Sequence, residues 1–352
     1  MDYEVELFVE LDKRLKKIWN NLEQDSEYTC FNSLSWIENY SNSYNRLGKL
    51  RIFVIFFKNK PICIIPFEII KKFNMNILQW ACDKKSDFNA PIQDKNFSFK
   101  KDSFEYVWNK ILLMMPNIDL INLKRQINFS LNINNPFISY LKNSKEGIIQ
   151  KINLPTTWEA YKNTTLKKKF YLDLMRTKRL IKKYGKVQFV IAKNSEEKIS
   201  LINELIKQKE KNLIKINANP LSIEDLNFYK NFEKINNKKY VTQVSGIKLN
   251  GEFIAMHWGV FNSNYYYYLL PSMKEDDVKK FSPGKLLLSL LIRWAISKKI
   301  NYFDFGIGQE AYKKSWTNKS ENIYRYIKLK KIKAFPFYLI IKARQIIKNY
   351  KN

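Results

Sequence analysis

Histidine occurs once in the 352 residues, at His257, and cysteine three times, at Cys30, Cys63 and Cys82. One histidine excludes a Cys/His zinc site, and no metal is expected. A Ser-His-Asp or Cys-His mechanism would have to use His257. The cysteines are odd in number and lack a C-x-x-C spacing, so they read as reduced thiols. Nine glycines and ten prolines are too few for a fibrous or disordered chain. Long apolar runs are also missing. Ile52–Phe57, Ile62–Ile70 and Leu286–Ile296 all fall short of the ~20 residues that span a bilayer. The N-terminus, Met1-Asp2-Tyr3-Glu4, has no cationic region followed by an apolar one, so no signal peptide is expected. The chain is expected in the cytoplasm, or peripheral to the inner face of the membrane.

Acids are scarce as well: 33 Asp and Glu stand against 62 Lys and Arg, a net charge of +29. One reading is an anionic partner such as nucleic acid, a phosphorylated co-substrate or acidic lipid. The other is compositional, because the chain is crowded with Lys, Asn and Ile throughout, as an A/T-rich coding sequence would leave it. Charge alone does not separate them.

What is present is a chain long enough for two cores. Apolar spacing predicts a first helix over Asp2–Asn21 and a second from Ser33. Strands follow at Arg51–Phe57, Ile62–Ile69 and Met75–Trp80, then a helix near Phe104–Met115 and a strand at Ile118–Leu123. Asn132–Pro136 reads as a loop. Leu166, Phe170, Leu174, Ile181 and Tyr184 predict one helical stripe ending at Gly185. Next come a strand at Val187–Ala192 and a helix at Lys198–Asn212. Asn250-Gly251 joins two strands, Val244–Leu249 and Phe253–Phe261, as a hairpin. Tyr265–Leu270 is the third strand, followed by a helix over Lys285–Lys298 and a strand at Tyr302–Phe305. Both halves therefore read as helix, antiparallel meander, helix, strand, which suggests two copies of one fold. The expected division is 1–153, 154–330 and a basic, apolar tail at 331–352.

Chemistry concentrates in Phe281–Trp316. Ser282-Pro283-Gly284-Lys285 opens a helix: Ser282 is placed to cap it, and Pro283 fits the first turn. Gly284 lets an anion approach the backbone, and Lys285 adds a charge. An ordinary capped helix has the same sequence. Asp304-Phe305-Gly306-Ile307-Gly308 then ends a strand in a tight turn, where α/β sheets gather ligands. Asp304 is placed to orient or deprotonate an amine, and Lys313 to stabilise an oxyanion. A buried capping Asp and a surface Lys are the plain alternative.

These residues stand as SPGKLLLSLLIRWA and DFGIGQEAYKKSW. The segment resembles the C-terminal signature of the CelD-like acetyltransferases, a branch of the GNAT superfamily related to the FemAB aminoacyltransferases. LKKKFYLDLMRTKRLIKKYG, FNSLSWIENY and SDFNAPI extend the resemblance over most of Cys30–Trp316. It implies an α/β fold of tandem GNAT-like domains, with mixed, mostly antiparallel sheets flanked by helices. It implies acyl transfer from acyl-CoA to an amine or hydroxyl, often in polysaccharide or cell-envelope synthesis. Ser282, Gly284 and Lys285 would lie near the donor's pyrophosphate, while Asp304, Tyr312 and Lys313 would line the reaction site. Trp316 closes the motif and joins the substrate-binding set. Other GNAT enzymes carry R/Q-x-x-G-x-G/A where this chain has Ser-Pro-Gly-Lys with one glycine. Acyl-CoA and aminoacyl-tRNA both remain as donors.

Five further features bear on function. His257, mid-strand, is a general base or a hydrogen-bonded core histidine. In Tyr265–Tyr268 two rings are expected in the core and two in a cleft, with Tyr267 the candidate for substrate contact. Asp87 lines a cleft, as the resemblance suggests, or closes an Asx turn. The region Lys162–Lys186 carries ten Lys/Arg and one acid, and the tail Arg325–Lys351 carries nine Lys/Arg and no acid. Each is a solvated or docked helix, or else an anionic surface site: a polymer or lipid phosphate for the first, a membrane surface for the tail.

Three functions follow. The first is acyl transfer to a sugar, sugar nucleotide or cell-envelope intermediate by direct attack. The second is FemAB-like aminoacyl transfer from tRNA. The third is a non-enzymatic basic protein that binds membrane or polysaccharide.

Overall fold

In the computed structural model, residues 2–46, 48–128, 134–235, 239–274, 277–308 and 310–350 are described. In chain order the first elements are β1 (Tyr3–Phe8), α1 (Lys13–Gln24), β2 (Ser26–Glu27), α2 (Leu34–Ser43), β3 (Leu50–Phe57), β4 (Lys60–Lys72) and β5 (Met75–Trp80). They continue with β6 (Ile92–Asp94), α3 (Lys101–Leu113), β7 (Leu120–Gln126), α4 (Pro136–Tyr140) and β8 (Ser144–Asn153). Next are α5 (Trp158–Thr165), α6 (Lys168–Lys183), β9 (Val187–Ile191), α7 (Ser195–Lys215), α8 (Ile223–Asn231), β10 (Val241–Leu249), β11 (Glu252–Phe261) and β12 (Tyr265–Met273). The chain ends with α9 (Pro283–Ser297), β13 (Tyr302–Ile307), α10 (Ala311–Lys314), β14 (Lys319–Leu329) and α11 (Phe335–Tyr350). Two compact units result, one from 1–147 with 322–352 and one from 148–321.

The first unit begins with a strand where a helix is expected. Tyr3, Val5 and Leu7 pack toward one core and alternate with Glu4 and Glu6, a period of two that pairs β1 antiparallel with β3. The helix starts later, where Asp12 Oδ1 accepts the Leu15 amide at 2.7 Å. β3, β4 and β5 form an antiparallel meander, and β5 pairs in parallel with β7. α3 joins those two strands, and its Phe104, Val107, Trp108 and Ile111 are buried against the sheet. Of the loop expected at Asn132–Pro136, Asn132 and Ile133 lie outside the described residues; Asn135 caps α4 through the Phe137 amide. The last described strand, β14, returns antiparallel to β7 through residues 324–329, and α11 packs on this unit through Phe337, Tyr338 and Ile341.

The second unit repeats the order. β10, β11 and β12 form the meander, and β12 pairs in parallel with β13. Asn250 and Gly251, both at positive φ, make the predicted hairpin turn. β9 adds outside β10, and residues 149–153 of β8 add outside β13. α9 joins the parallel pair and buries Leu287, Leu291, Ile292 and Ala295 against Tyr266 and Phe303. Thus a mixed α/β fold of two like units, each a mostly antiparallel sheet flanked by helices, stands as the resemblance implies. Of the predicted stripe, Phe170, Leu174 and Ile181 lie on the one helix α6, whereas Leu166 falls in the break after α5 and Tyr184 is 54% exposed beyond the end of α6.

Candidate active site

The parallel pair β12–β13 is short. Tyr265 faces Tyr302, Tyr266 faces Phe303, and Tyr267 faces Asp304, and there the register ends. β12 runs on to Met273 and β13 to Ile307. Two irregularities drive them apart. On one side β11 and β12 slip register between Trp258 and Gly259. On the other, β8 and β13 slip between Asp304 and Ile307. A bulge bends its strand and raises its twist, so neighbours cannot stay paired beyond it.

Gly259 is what the first slip requires. A Cβ there would stand 2.5 Å from both His257 Cε1 and the Tyr267 carbonyl oxygen. Beyond the last pair lies a cavity of about 480 Å³, walled by Tyr268, Pro271 and Met273 of β12 and by Leu287 and Leu288 of α9. Phe170, Tyr312 and Trp316 complete its apolar lining. Helix α7 fixes the β12 wall. Lys209 Nζ donates to the Pro271 carbonyl at 3.1 Å, and Asn212 Nδ2 donates to that of Met273 at 2.8 Å. Partial burial lowers the Lys209 pKa.

The start of α9 opens on this cavity through Ser282, Gly284 and Lys285. Ser282 was expected to cap the helix, but its side chain makes no capping bond, and its backbone is left-handed at φ 51°. Pro283 occupies the first turn. A Cβ on Gly284 would touch only Met273 Sδ, at 3.8 Å, so packing does not demand glycine there. The first-turn amides of a helix lack intrahelical partners and carry the positive end of its dipole. Lys285 pairs with Asp173 of α6 and lies over the Phe170 ring at 5.3 Å.

Tyr312 and Trp316 reach the cavity from the segment after β13. Trp316 is buried, edge-on to Phe170, and its carbonyl accepts the Tyr161 hydroxyl at 2.6 Å. Burial, with Glu310 nearby, raises the Tyr312 pKa to about 12, so the phenol keeps its proton near neutrality.

The three candidate catalytic residues stand outside this lining. Asp304 is 1% exposed. Its Oδ1 accepts the Gly306 amide at 2.7 Å, an Asx turn that needs the positive φ of Gly306. Its Oδ2 lies 4.0 Å from Lys151 Nζ, which is 2.7 Å from Glu321. Lys313 Nζ donates to the Ile307 carbonyl at 2.8 Å and pairs with Glu310 at 2.9 Å. His257 is fully buried, its ring stacked on Tyr268 at 4.2 Å. Its Nδ1 is 3.2 Å from the Tyr266 hydroxyl, which donates to Gln243 Oε1 at 2.7 Å. Among the described residues Nε2 has no partner. Burial lowers the His257 pKa to about 3.

Of the candidates, Ser282, Gly284, Lys285, Tyr312 and Trp316 are thus brought together around one cavity. Tyr267 is buried beside Tyr265 and paired with Asp304. All of Tyr266, Tyr267 and Tyr268 are buried, so the expected split of the tyrosine run between core and cleft does not hold. Tyr268, not Tyr267, lines the cavity, because alternation along β12 puts Tyr268 with Tyr266 on the Phe303 side and Tyr267 with Tyr265 on the other. Asp87 is half-buried in the first unit, between β5 and β6. Sequence reasoning missed Asn212, Met256 and Pro271, which reach the cavity only through the three-dimensional fold. Among the described residues no group of three His, Cys, Asp or Glu converges as a metal site.

A family profile described as acetyltransferase (GNAT) domain matches residues 168–314. No curated protein sequence matches the chain. Several solved structures share the fold. FemX superposes with a TM-score of 0.59 at 9% identity, covering 93% of this chain and 98% of FemX. The C-terminal domain of a putative lysylphosphatidylglycerol synthetase from Agrobacterium fabrum gives 0.56 at 13% identity, covering 88% of this chain and 90% of that one. A tandem GNAT protein from the clavulanic acid biosynthesis pathway gives 0.50 at 7% identity, covering 93% and 98%. Residues 168–314 accordingly match the GNAT acetyltransferase domain profile, and the chain shares the fold of FemX and of the tandem GNAT protein.

Proposed function

We propose that the protein transfers an acyl group from acyl-CoA to an amine or hydroxyl of a sugar, sugar nucleotide or cell-envelope intermediate. The cavity between the diverging β12 and β13, with the uncapped start of α9 at its mouth, carries this reading. A slender thioester arm suits the apolar lining. The donor's phosphates suit the helix start, where backbone amides favour anions.

Transfer needs no covalent enzyme intermediate. The acceptor's lone pair attacks the thioester carbon, the C–S bond breaks, and the acceptor's proton leaves to water or to the departing sulfur. Tyr312, protonated and lining the cavity, would stabilise the developing thiolate through a hydrogen bond while keeping its proton. Positioning and electrostatics supply the rest. His257 acts from behind, bracing the Tyr268 ring. Asp304 and Lys313 hold the turn after β13 that carries Tyr312.

Titration calorimetry with acetyl-CoA and longer acyl-CoAs tests the donor. Aminoacyl-tRNA is the second donor, favoured by the +29 charge and by the fold shared with FemX. Salt-sensitive transfer of labelled amino acid from charged tRNA, without acyl-CoA binding, would establish it instead.

A further inference from the structure

Helix α11 is apolar on both faces. Phe337, Tyr338 and Ile341 pack inward on the first unit, as does Ala334 just before the helix. Phe335, Leu339, Ile340, Ile346 and Ile347 face outward, each 43% to 56% exposed. Their spacing follows the helical period, so they form one outer stripe. A docked surface helix of a globular protein is normally polar on that side. Ile332, just before the helix, is 81% exposed.

A second element of the same unit, beside α11, also exposes an apolar side chain. The β4–β5 hairpin turns at Phe73 and Asn74, both left-handed, and Phe73 is 74% exposed. Its ring stands edge-on to Phe337 at 6.0 Å, and Lys333 Nζ donates to the Asn74 carbonyl at 3.3 Å. Contiguous exposed apolar surface of this kind marks an interaction site.

Cations surround it. Lys72 lies over both the Phe73 and Phe337 rings, and Lys342 over Tyr338. The same hairpin borders a cavity of about 580 Å³. Seven of its thirteen lining residues are Lys or Arg, against 62 of 352 in the chain. Its one acid, Asp83, is held by Lys124 and Arg125.

We infer that this face of the first unit docks on an anionic phospholipid bilayer, with α11 lying in the plane of the interface and Phe73 inserted beside it. A second copy of the chain would press two cationic surfaces together. Nucleic acid would use the cations but leave the exposed Ile and Leu side chains without apolar contact. Only a lipid surface takes both at once, headgroups against the lysines and acyl chains against the apolar stripe. No helix among the described residues is long and apolar enough to cross a membrane, in keeping with an in-plane arrangement.

Co-sedimentation with phosphatidylglycerol/phosphatidylcholine vesicles tests this. The full chain should pellet with them, pellet far less with pure phosphatidylcholine, and lose binding as salt rises. The double variant Leu339→Glu/Ile340→Glu, and separately Phe73→Ser, should weaken partitioning at least tenfold while unfolding at the wild-type temperature, because these side chains are exposed. Wild-type protein left in the supernatant, or variants that partition like wild type, would overturn the inference. So would a dimer, seen by analytical ultracentrifugation, that the double variant dissolves while vesicles stay unbound.

Discussion

Tyr267 and Asp304 are the last paired residues of the parallel strands β12 and β13, and the cavity begins where their register ends. The opening is built by what flanks the pair: a bulge held by Gly259 on one side and the Asp304–Gly306 turn on the other.

Gly259→Ala should therefore damage both fold and site. Its Cβ would meet the Tyr267 carbonyl and the His257 ring at 2.5 Å, and backbone cannot step aside cheaply. Overpacking of this kind costs about 1–3 kcal/mol. Denaturant titration reads the stability loss, and acyl-CoA affinity should fall with it.

Gly284→Ala should separate the two. A Cβ there meets only Met273 Sδ at 3.8 Å, so stability should hold or rise slightly; Gly→Ala at a compatible site gains about 0.4–1 kcal/mol. Donor affinity should fall about tenfold, because the added methyl stands where phosphate approaches. Calorimetry and thermal unfolding on the same variant distinguish the effects. Equal affinity in both proteins would remove the donor from the start of α9.

The single histidine allows a clean pH test. Burial lowers the His257 pKa to about 3, below the ~6.5 of an unfolded chain. The unfolded state thus binds the extra proton first, and stability falls as pH drops from ~6.5 toward 3. Burial raises the Glu68 carboxyl, which works in the opposite direction as pH falls, so the His257 share is read from the difference between two proteins. Between ~6.5 and 5.5 the unfolding free energy of wild type should fall relative to that of His257→Asn. For the same reason kcat/KM should show no His257 inflection near neutrality, as a general base there would require.

Asp304→Asn keeps an acceptor for the Gly306 amide and leaves Lys151 paired with Glu321, 2.7 Å away. It should cost little, whereas Asp304→Ala also strands the amide and should cost about 1–3 kcal/mol. Chemical denaturation of the two variants checks the order.

Much of this was legible in the sequence, and the exceptions have physical causes. The meanders and the α9 segment carry period-two and period-3.6 patterns that depend only on local burial. β1 was read as helix because Val5 and Phe8 also fit helical spacing; only pairing with β3 decides it. The Ser282–Trp316 motif located the cavity. Tyr268 was passed over for Tyr267 because alternation separates the two faces of β12 without saying which of them meets the cavity. Asn212 and Pro271 were invisible because bonds between α7 and the end of β12, some 60 residues apart, bring them there: Asn212 to Met273 and Lys209 to Pro271.

A crystal structure of the protein with acetyl-CoA tests the central claim most directly. The account predicts the thioester between Tyr268, Leu287 and Trp316, with the pyrophosphate on the Gly284 amide. A donor bound elsewhere, or none bound at millimolar concentration to folded protein, would contradict it.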